Sequence, residues 1–416
     1  MEFMRILRIC QDVPYPPNDG VRIEPFHTTK YLAGRGHEIT LLAFQSEERD
    51  TSPLRAYCEL HAIPFHARNS LPNIVRGLIE RSPVNYVKYR DQRMLELCLD
   101  LLRNRAYDAL VVDYSALGWY VFQVRKKIQI PIITRWHNVD TLIWERWAES
   151  QSNPVKRVLG RRQYESVKRY ESKLALASDV CLTVGARDAE LLRELAPGAD
   201  VRFLPPGVDV DHYTPTEEGQ EPASILFMSS NYQWHANWDA VEWLYREIMP
   251  LIWKRVPDAK LYITGKDMRP EMHEWEATGR VILTGFVPDE RAVIAKASVM
   301  AVPMRLGGGI KLKVLTAFAA GRAVVTTPAG AEGIPELIDG EQLLIRDTPQ
   351  RFADAAVEVM ENRPLRQRLE ANGRAFVCRH YDWKVIGAKW EDVLASLSHS
   401  SPLGFVRGQE RRIAEL

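Results

Sequence analysis

The chain has 416 residues, 46% hydrophobic and 26% charged, with a formal net charge of +1. That length exceeds what one hydrophobic core fills and implies two or three domains of ordinary globular composition. Near-neutrality excludes a global attraction to nucleic acid or an acidic membrane, so any such contact has to be local. Five scattered cysteines (Cys10, Cys58, Cys98, Cys181 and Cys378) form no CxxC pair and predict reduced thiols rather than a zinc site or a disulfide framework. "MEFMRILRIC" has no h-region and reads as a first strand, and no apolar stretch reaches the roughly 18–20 residues that span a bilayer. A cytoplasmic protein is predicted.

Short apolar runs rich in β-branched residues alternate with longer amphipathic stretches, the rhythm of parallel βαβ units. The first half predicts strands at 5–10, 38–44, 109–114, 131–136, 179–184 and 201–205, with helices over 22–35, 91–104 and 154–177. The last of these opens on Asn153-Pro154, an N-cap followed by proline at the first helical position. Residues 206–223 mix prolines, glycines and charges without periodicity and read as an interdomain linker. The rhythm then restarts, with strands at 225–230, 259–265, 281–285, 298–303 and 323–328. The expected organisation is an N-terminal domain over 1–205, a C-terminal domain over 224–380, a helical segment over 381–397 and a tail over 398–416. Two doubly wound α/β domains place ligands at the carboxyl ends of their strands, in the cleft between them.

Three strand ends stand out. In "RLGGGIKLKVLTAFAAG" (305–321), Gly307, Gly308 and Gly309 join a predicted strand to a helix. Their amides and the helix N-terminus make an anion site, since a Cβ there would hold the backbone away from phosphate oxygens. Lys311 and Lys313 add positive charge, and Lys313 shares a helix face with Thr316. A tight βα turn with solvated lysines is the other reading of the same letters. The P-loop pattern is absent, and Gly307-x-Gly309-x-x-Leu312 falls one residue short of the dinucleotide fingerprint, although Glu332 is suitably spaced. That fingerprint opens a domain, whereas this loop follows a fourth strand, so a dehydrogenase is disfavoured.

The second place is "PYPPNDGVRIEPF" (14–26), a rigid turn after the first strand in which Gly20 lets amides approach a ligand; a plain βα turn is its default reading. The third is "TRWHNVDTLIWERW" (134–147), where His137 projects from a strand end. A neutral imidazole there can accept a hydrogen bond from a sugar hydroxyl or do acid–base work, the alternative being a surface or capping histidine. Trp144 and Trp147 read as core or interface anchors. Asp209-Val210-Asp211 matches a metal-binding DxD pattern but follows Pro205-Pro206-Gly207 and reads as turn chemistry. The basic stretch 154–173 is a solvated face or a membrane-surface contact suited to a lipid-linked acceptor.

Taken together, "GGGIKLKVLTAFAAGRAVVTTPAGAEGI", "HNVDTLIWER", "PPGVDVDHYTP" and "NYQWHANWDAVEWLYREIMPLI" closely resemble glycosyltransferase family 4, the retaining GT-B enzymes, over about residues 4–395. Within it the chain is most similar to a bacterial branch associated with exopolysaccharide and surface-glycan synthesis. The resemblance implies two Rossmann-like domains facing a cleft, with a nucleoside diphosphate sugar bound mainly by the C-terminal one and the acceptor (glycan, lipid-linked or small molecule) mainly by the N-terminal one. No cofactor or metal and no nucleic-acid partner is expected. It implies that Gly20 lies near the diphosphate, His137 near the transferred sugar, and Gly308, Gly309 and Ile310 in the amide cradle, with Lys313 a basic group of this branch. The segment 381–397 is expected to cross back onto the N-terminal domain. Front-side attack through an oxocarbenium-like state, with the diphosphate taking the acceptor proton, is the mechanism implied.

Two departures qualify this. The family's paired glutamates fall at Gly308 and Thr316, and neither is acidic. Loss of the second removes a charge-assisted hydrogen bond to ribose worth roughly 1.5–3 kcal/mol, or about ten- to a hundred-fold in donor affinity. The Arg and Lys expected after the first C-domain strand are replaced in the neighbourhood of Ser230 and Asn237, with Lys266 and Lys311 as candidates to compensate. A non-catalytic protein that binds a sugar nucleotide or a partner enzyme is therefore a competing expectation, and a sugar-nucleotide epimerase is another.

Overall fold

The computed structural model describes residues 3–65, 68, 70–80, 82–307 and 309–398; Gly308 and the predicted tail from residue 399 onward lie outside the described residues. The chain divides into two compact units, one running to Pro205 and resuming at Ile386, the other Pro206–Val385.

The first unit holds a parallel sheet of seven strands: β1 Arg5–Cys10, β2 Glu38–Gln45, β3 Glu59–Pro64, β4 Ala109–Asp113, β5 Ile132–Trp136, β6 Val180–Thr183 and β7 Val201–Phe203, in the order β3-β2-β1-β4-β5-β6-β7. The second holds six: β8 Ser224–Asn231, β9 Lys260–Lys266, β10 Val281–Gly285, β11 Val299–Val302, β12 Val324–Thr326 and β13 Leu344–Ile345, in the order β10-β9-β8-β11-β12-β13. Helices cover both faces of such a sheet, so its central strands are buried on both sides and read as continuous apolar runs; β4, β5 and β11 are buried at every position. In each sheet the strand order reverses beside the first strand, between β1 and β4 and between β8 and β11. A crevice opens at the carboxyl ends of the strands at such a reversal.

Two strands were not expected from the sequence. β3, "ELHAIP", is an edge strand that ends in proline and buries only Leu60 and Ile63, so its apolar signal is thin. β13 has only two residues. The segment 206–223, expected as a linker, packs on the second unit instead. Val208 and Val210 are buried in that unit's core, the Val208 amide donates to the Tyr381 carbonyl, and Arg374 donates to the carbonyls of Val210 and Tyr213. A Cβ on Gly207 would lie 2.7 Å from the Trp383 ring, so this glycine serves close packing. The apolar residues of the segment insert singly, which leaves no period to read.

The helix Trp383–Ser398 begins in the second unit and from Ile386 packs in the first. There Trp390 is fully buried, and Glu391 accepts hydrogen bonds from Arg35 at 3.1 Å and Tyr31 at 3.2 Å.

Candidate active site

In the second unit, β11 ends at Val302 and the chain reaches the helix Leu312–Ala319 through the glycine loop. Gly307 and Gly309 have φ of 91° and 73°, a region that side chains with a Cβ rarely adopt. The loop is held from both sides. Lys311, buried, donates from Nζ to the carbonyls of Gly307 and Gly309, each at 3.0 Å. Against its other side lies Gly333, where a Cβ would sit 2.4 Å from the carbonyl carbon of Gly309 and 2.5 Å from the Ile310 nitrogen. Gly333 was missed as a site residue, because only the tertiary structure shows what it touches.

Lys313 lies on the first turn of the helix. Its Nζ is 3.8 Å from the Met304 sulfur and 4.6 Å from the centroid of the Phe227 ring, which belongs to β8. No carboxylate pairs with it among the described residues. Burial, with a smaller contribution from Lys311, brings its pKa down to about 7. Thr316 follows three residues on, partly buried. The structure thus gathers Gly307, Gly309, Ile310, Lys311 and Lys313 at the β8/β11 reversal.

Ser230 and Asn237 stand where basic groups were expected, and Lys266 and Lys311 were the candidates to compensate. Asn237 is buried and donates from Nδ2 to the Asn231 carbonyl at 2.9 Å, bracing the turn after β8. Lys266 is exposed and stacks over Phe286 at 4.3 Å, and Ser230 is exposed at the end of β8. Lys311 serves the loop carbonyls, as above. Asp209 accepts from the His212 amide at 2.9 Å and Asp211 pairs with Lys384 at 2.8 Å, so the DxD string is a turn and a surface ion pair.

In the first unit, His137 directly follows β5 and is partly buried, with its ring 6.3 Å from that of Tyr114 in an edge-on arrangement. Burial lowers its pKa; Glu24 and Asp113 oppose this while Arg135 and Arg8 reinforce it. The imidazole is therefore neutral at neutral pH and free to accept or donate one hydrogen bond. Behind it lies a buried charge quartet. Arg8 donates to Asp113 and to Glu24, and Arg135 lies 3.4 Å from Glu24. Burial lowers the Arg135 pKa as well. These four groups were not expected, although an arginine inside each of the apolar runs "RILRIC" and "PIITRW" was a visible signal.

Past His137 the helix Asp140–Ser150 has no cap of its own: its N-cap position is Val139. Glu171, fully buried on the helix Pro154–Ala177, supplies one by accepting from the amides of Asp140 at 2.8 Å and Thr141 at 3.1 Å. Burial, reinforced by Asp140, pushes the Glu171 pKa up to about 8. Gly20 lies in an exposed turn organised by Asp19, whose Oδ1 accepts from the amides of Val21 and Arg22; no heavy atom lies within 4 Å of where a Cβ would be. Packing therefore does not demand glycine at this position.

Two doubly wound parallel-sheet units, the second carrying a glycine loop and a buried lysine at its strand reversal, define a GT-B glycosyltransferase. The sequence matches Glycosyltransferase Family 4 over residues 21–212 and Glycosyl transferases group 1 over residues 222–362, and the chain belongs to glycosyltransferase family 4. It is 21% identical to an uncharacterized 44.6 kDa protein in the cps region of Klebsiella pneumoniae, over 92% of this chain and 97% of that one. It is 29% identical, over 48% of its own length, to a GDP-mannose-dependent α-(1-6)-phosphatidylinositol monomannoside mannosyltransferase of Mycobacterium tuberculosis, of which it spans about half (56%). Among solved structures it resembles a sucrose-phosphate synthase from Thermosynechococcus elongatus (TM-score 0.71, 16% identity, 96% of this chain and 100% of that one). It also resembles Anabaena HepE in complex with UDP (TM-score 0.67, 13% identity, 94% and 100%).

Proposed function

We propose that the chain is a retaining, metal-independent hexosyltransferase that takes its sugar from a nucleoside diphosphate and passes it to a surface-glycan, lipid-linked or small-molecule acceptor. One observation carries this reading: the Lys313 ammonium is partly buried against a thioether and an aromatic ring, without a carboxylate partner among the described residues, beside positive-φ glycine amides at a strand reversal. A buried cation without a counter-ion is costly, and a diphosphate would supply the missing charge. On this reading Lys313 and the Gly307–Ile310 amides hold the diphosphate and stabilise it as it departs, Thr316 faces the ribose, and neutral His137 contacts the transferred sugar. GDP-mannose is the first donor to try, since the mycobacterial relatives use it; UDP-glucose is the second, since HepE has been solved with it.

A peripheral membrane contact is part of the proposal. Leu71, Leu78 and Ile79, together with Val155, Val158 and Leu159, are large apolar residues left exposed in the first unit. Lys156, Arg157, Arg161 and Arg162 accompany the second group on one helix, which suits an anionic lipid surface. No helix among the described residues is long and apolar enough to cross a membrane.

Calorimetric titration in chelator with UDP, GDP, ADP and TDP tests the donor site. Saturable binding of one nucleotide, weakened in Lys313→Ala, supports the transferase. No binding of any at millimolar concentration favours the non-catalytic reading that Thr316 motivates, and product analysis without acceptor separates out an epimerase.

A further inference from the structure

At the strand ends of the first unit, one group of side chains is left over by the donor chemistry. Tyr114 closes β4 beside the β1/β4 reversal with φ 90° and ψ 125°, a backbone conformation that costs a residue with a Cβ about 1–3 kcal/mol. The local chain pins it there: its amide donates to the Arg135 carbonyl at 2.8 Å, and its carbonyl accepts from the Leu117 amide at 3.0 Å. The ring is half-buried, edge-on to Tyr89 at 6.2 Å and to His137 at 6.3 Å. Its hydroxyl has no hydrogen-bond partner among the described residues.

Asp140 completes the group. Its Oδ2 accepts from the Tyr86 hydroxyl at 2.8 Å, and that hydroxyl lies 3.4 Å from Oγ of Ser115, the residue after Tyr114. The other oxygen, Oδ1, accepts no hydrogen bond among the described residues. One partly buried carboxylate oxygen, one phenol and one neutral imidazole are therefore unspent together beside aromatic rings. Aromatic faces meet the C–H face of a pyranose, and unspent acceptors and donors meet its hydroxyls. The ring packs on the first unit's core, yet that contact leaves the hydroxyl without a partner among the described residues, and glycine would hold the same turn without the backbone strain.

We propose that Tyr114 and Asp140 are substrate-contact residues that select the acceptor, taking its terminal pyranose against the Tyr114 ring with one hydroxyl donated to Asp140. This rests on the transferase reading above and adds to it that the acceptor end is a sugar rather than a bare alcohol or lipid headgroup phosphate. A carboxylate at the centre of the site disfavours an anionic group in that position.

The test is saturation-transfer NMR of the full chain with methyl α-mannopyranoside, methyl α-glucopyranoside and methyl α-galactopyranoside, beside Tyr114→Gly, Tyr114→Phe and Asp140→Asn. Asp140→Asn is isosteric and Tyr114→Phe keeps the packed ring, while Tyr114→Gly keeps the positive-φ turn but removes a ring that packs on the core, so its melting temperature and nucleotide affinity are read as the control for folding. Wild-type protein should bind one glycoside saturably, about tenfold or more weaker in Tyr114→Gly and Asp140→Asn, with a smaller loss in Tyr114→Phe. Nucleotide affinity, read by calorimetry on the same samples, should not move. Equal glycoside binding in wild type, Tyr114→Gly and Asp140→Asn would overturn the proposal, as would no saturable transfer to wild type at about 50 mM glycoside. Failure of the donor reading shows separately, as wild-type protein that binds no nucleotide.

Discussion

Arg8 and Asp113 are joined on adjacent parallel strands by two hydrogen bonds, one of them Nη2 to Oδ1 at 2.9 Å, with both side chains only 3% exposed. Burial alone would raise the Asp113 pKa; the Arg8 charge and its hydrogen bonds override this and hold it below the ordinary carboxylate value. The unfolded chain then takes up a proton at Asp113 before the folded chain does. Stability supplied by the pair is complete above the ordinary value and lost as pH falls through the lowered one. Asp113→Asn leaves Arg8 buried with Glu24 as its remaining acid, and should cost about 3–5 kcal/mol in chemical denaturation at neutral pH. A cost under about 1 kcal/mol would show that water already screens the pair.

Lys313 should behave in the opposite sense. Its folded-state pKa is lowered to about 7, so between that value and the ordinary 10.5 the unfolded chain holds a proton that the folded chain lacks. Stability of the nucleotide-free protein should therefore rise with pH across that window. Lys313→Met removes the titrating group, so it should raise the melting temperature near pH 7, with the gain shrinking towards pH 10, while nucleotide affinity falls roughly ten- to a hundred-fold. Melting curves of both proteins across that pH range decide it; parallel curves would mean that the ammonium is solvated.

Gly333→Ala places a methyl group 2.4 Å from Gly309, a distance that forces one of the two backbones to move. We expect nucleotide affinity to drop at least about tenfold, with a stability loss of roughly 1–3 kcal/mol from the overpacked contact. Gly20→Ala, which meets no neighbouring atom, is the control for stability and should unfold like wild type.

Thr316→Glu restores a carboxylate one turn beyond the first residues of the cradle helix. If ribose lies there, nucleotide affinity should rise by about ten- to a hundred-fold. Unchanged affinity would mean that ribose is held elsewhere and that the threonine is not a weakened version of an acidic site.

Membrane contact is read by co-sedimentation with anionic and zwitterionic vesicles. Leu78→Ser with Ile79→Ser, and separately Arg161→Glu with Arg162→Glu, should each lower binding to anionic vesicles several-fold, and salt should weaken it further. Wild-type protein that ignores anionic vesicles at low salt would remove the membrane from the proposal.

The two parallel sheets were legible because their central strands, such as "ALVVD" and "VMAV", are buried on both faces and therefore write uninterrupted apolar runs. The glycine loop was legible for a related reason: φ of 91° and 73° leaves few residue choices, and the sequence shows the one made. Local constraints of this kind leave a mark at the residue itself. Other features depended on contacts between residues far apart in the chain. The sequence showed Lys311 and Lys313 as two similar cations, but folding turns one onto loop carbonyls and leaves the other over an aromatic ring with no counter-ion among the described residues. Val208 and Val210 gave no periodic signal, yet they enter the second core because Tyr381 and Arg374, more than 160 residues later, meet their backbone. Gly333 is indistinguishable by letter from its neighbour Gly330, and only the approach of Gly309 gives it a part in the site. Which strand ends exist follows from local burial and backbone freedom; which side chains remain unspent at those ends is decided by partners that only the folded chain brings within reach.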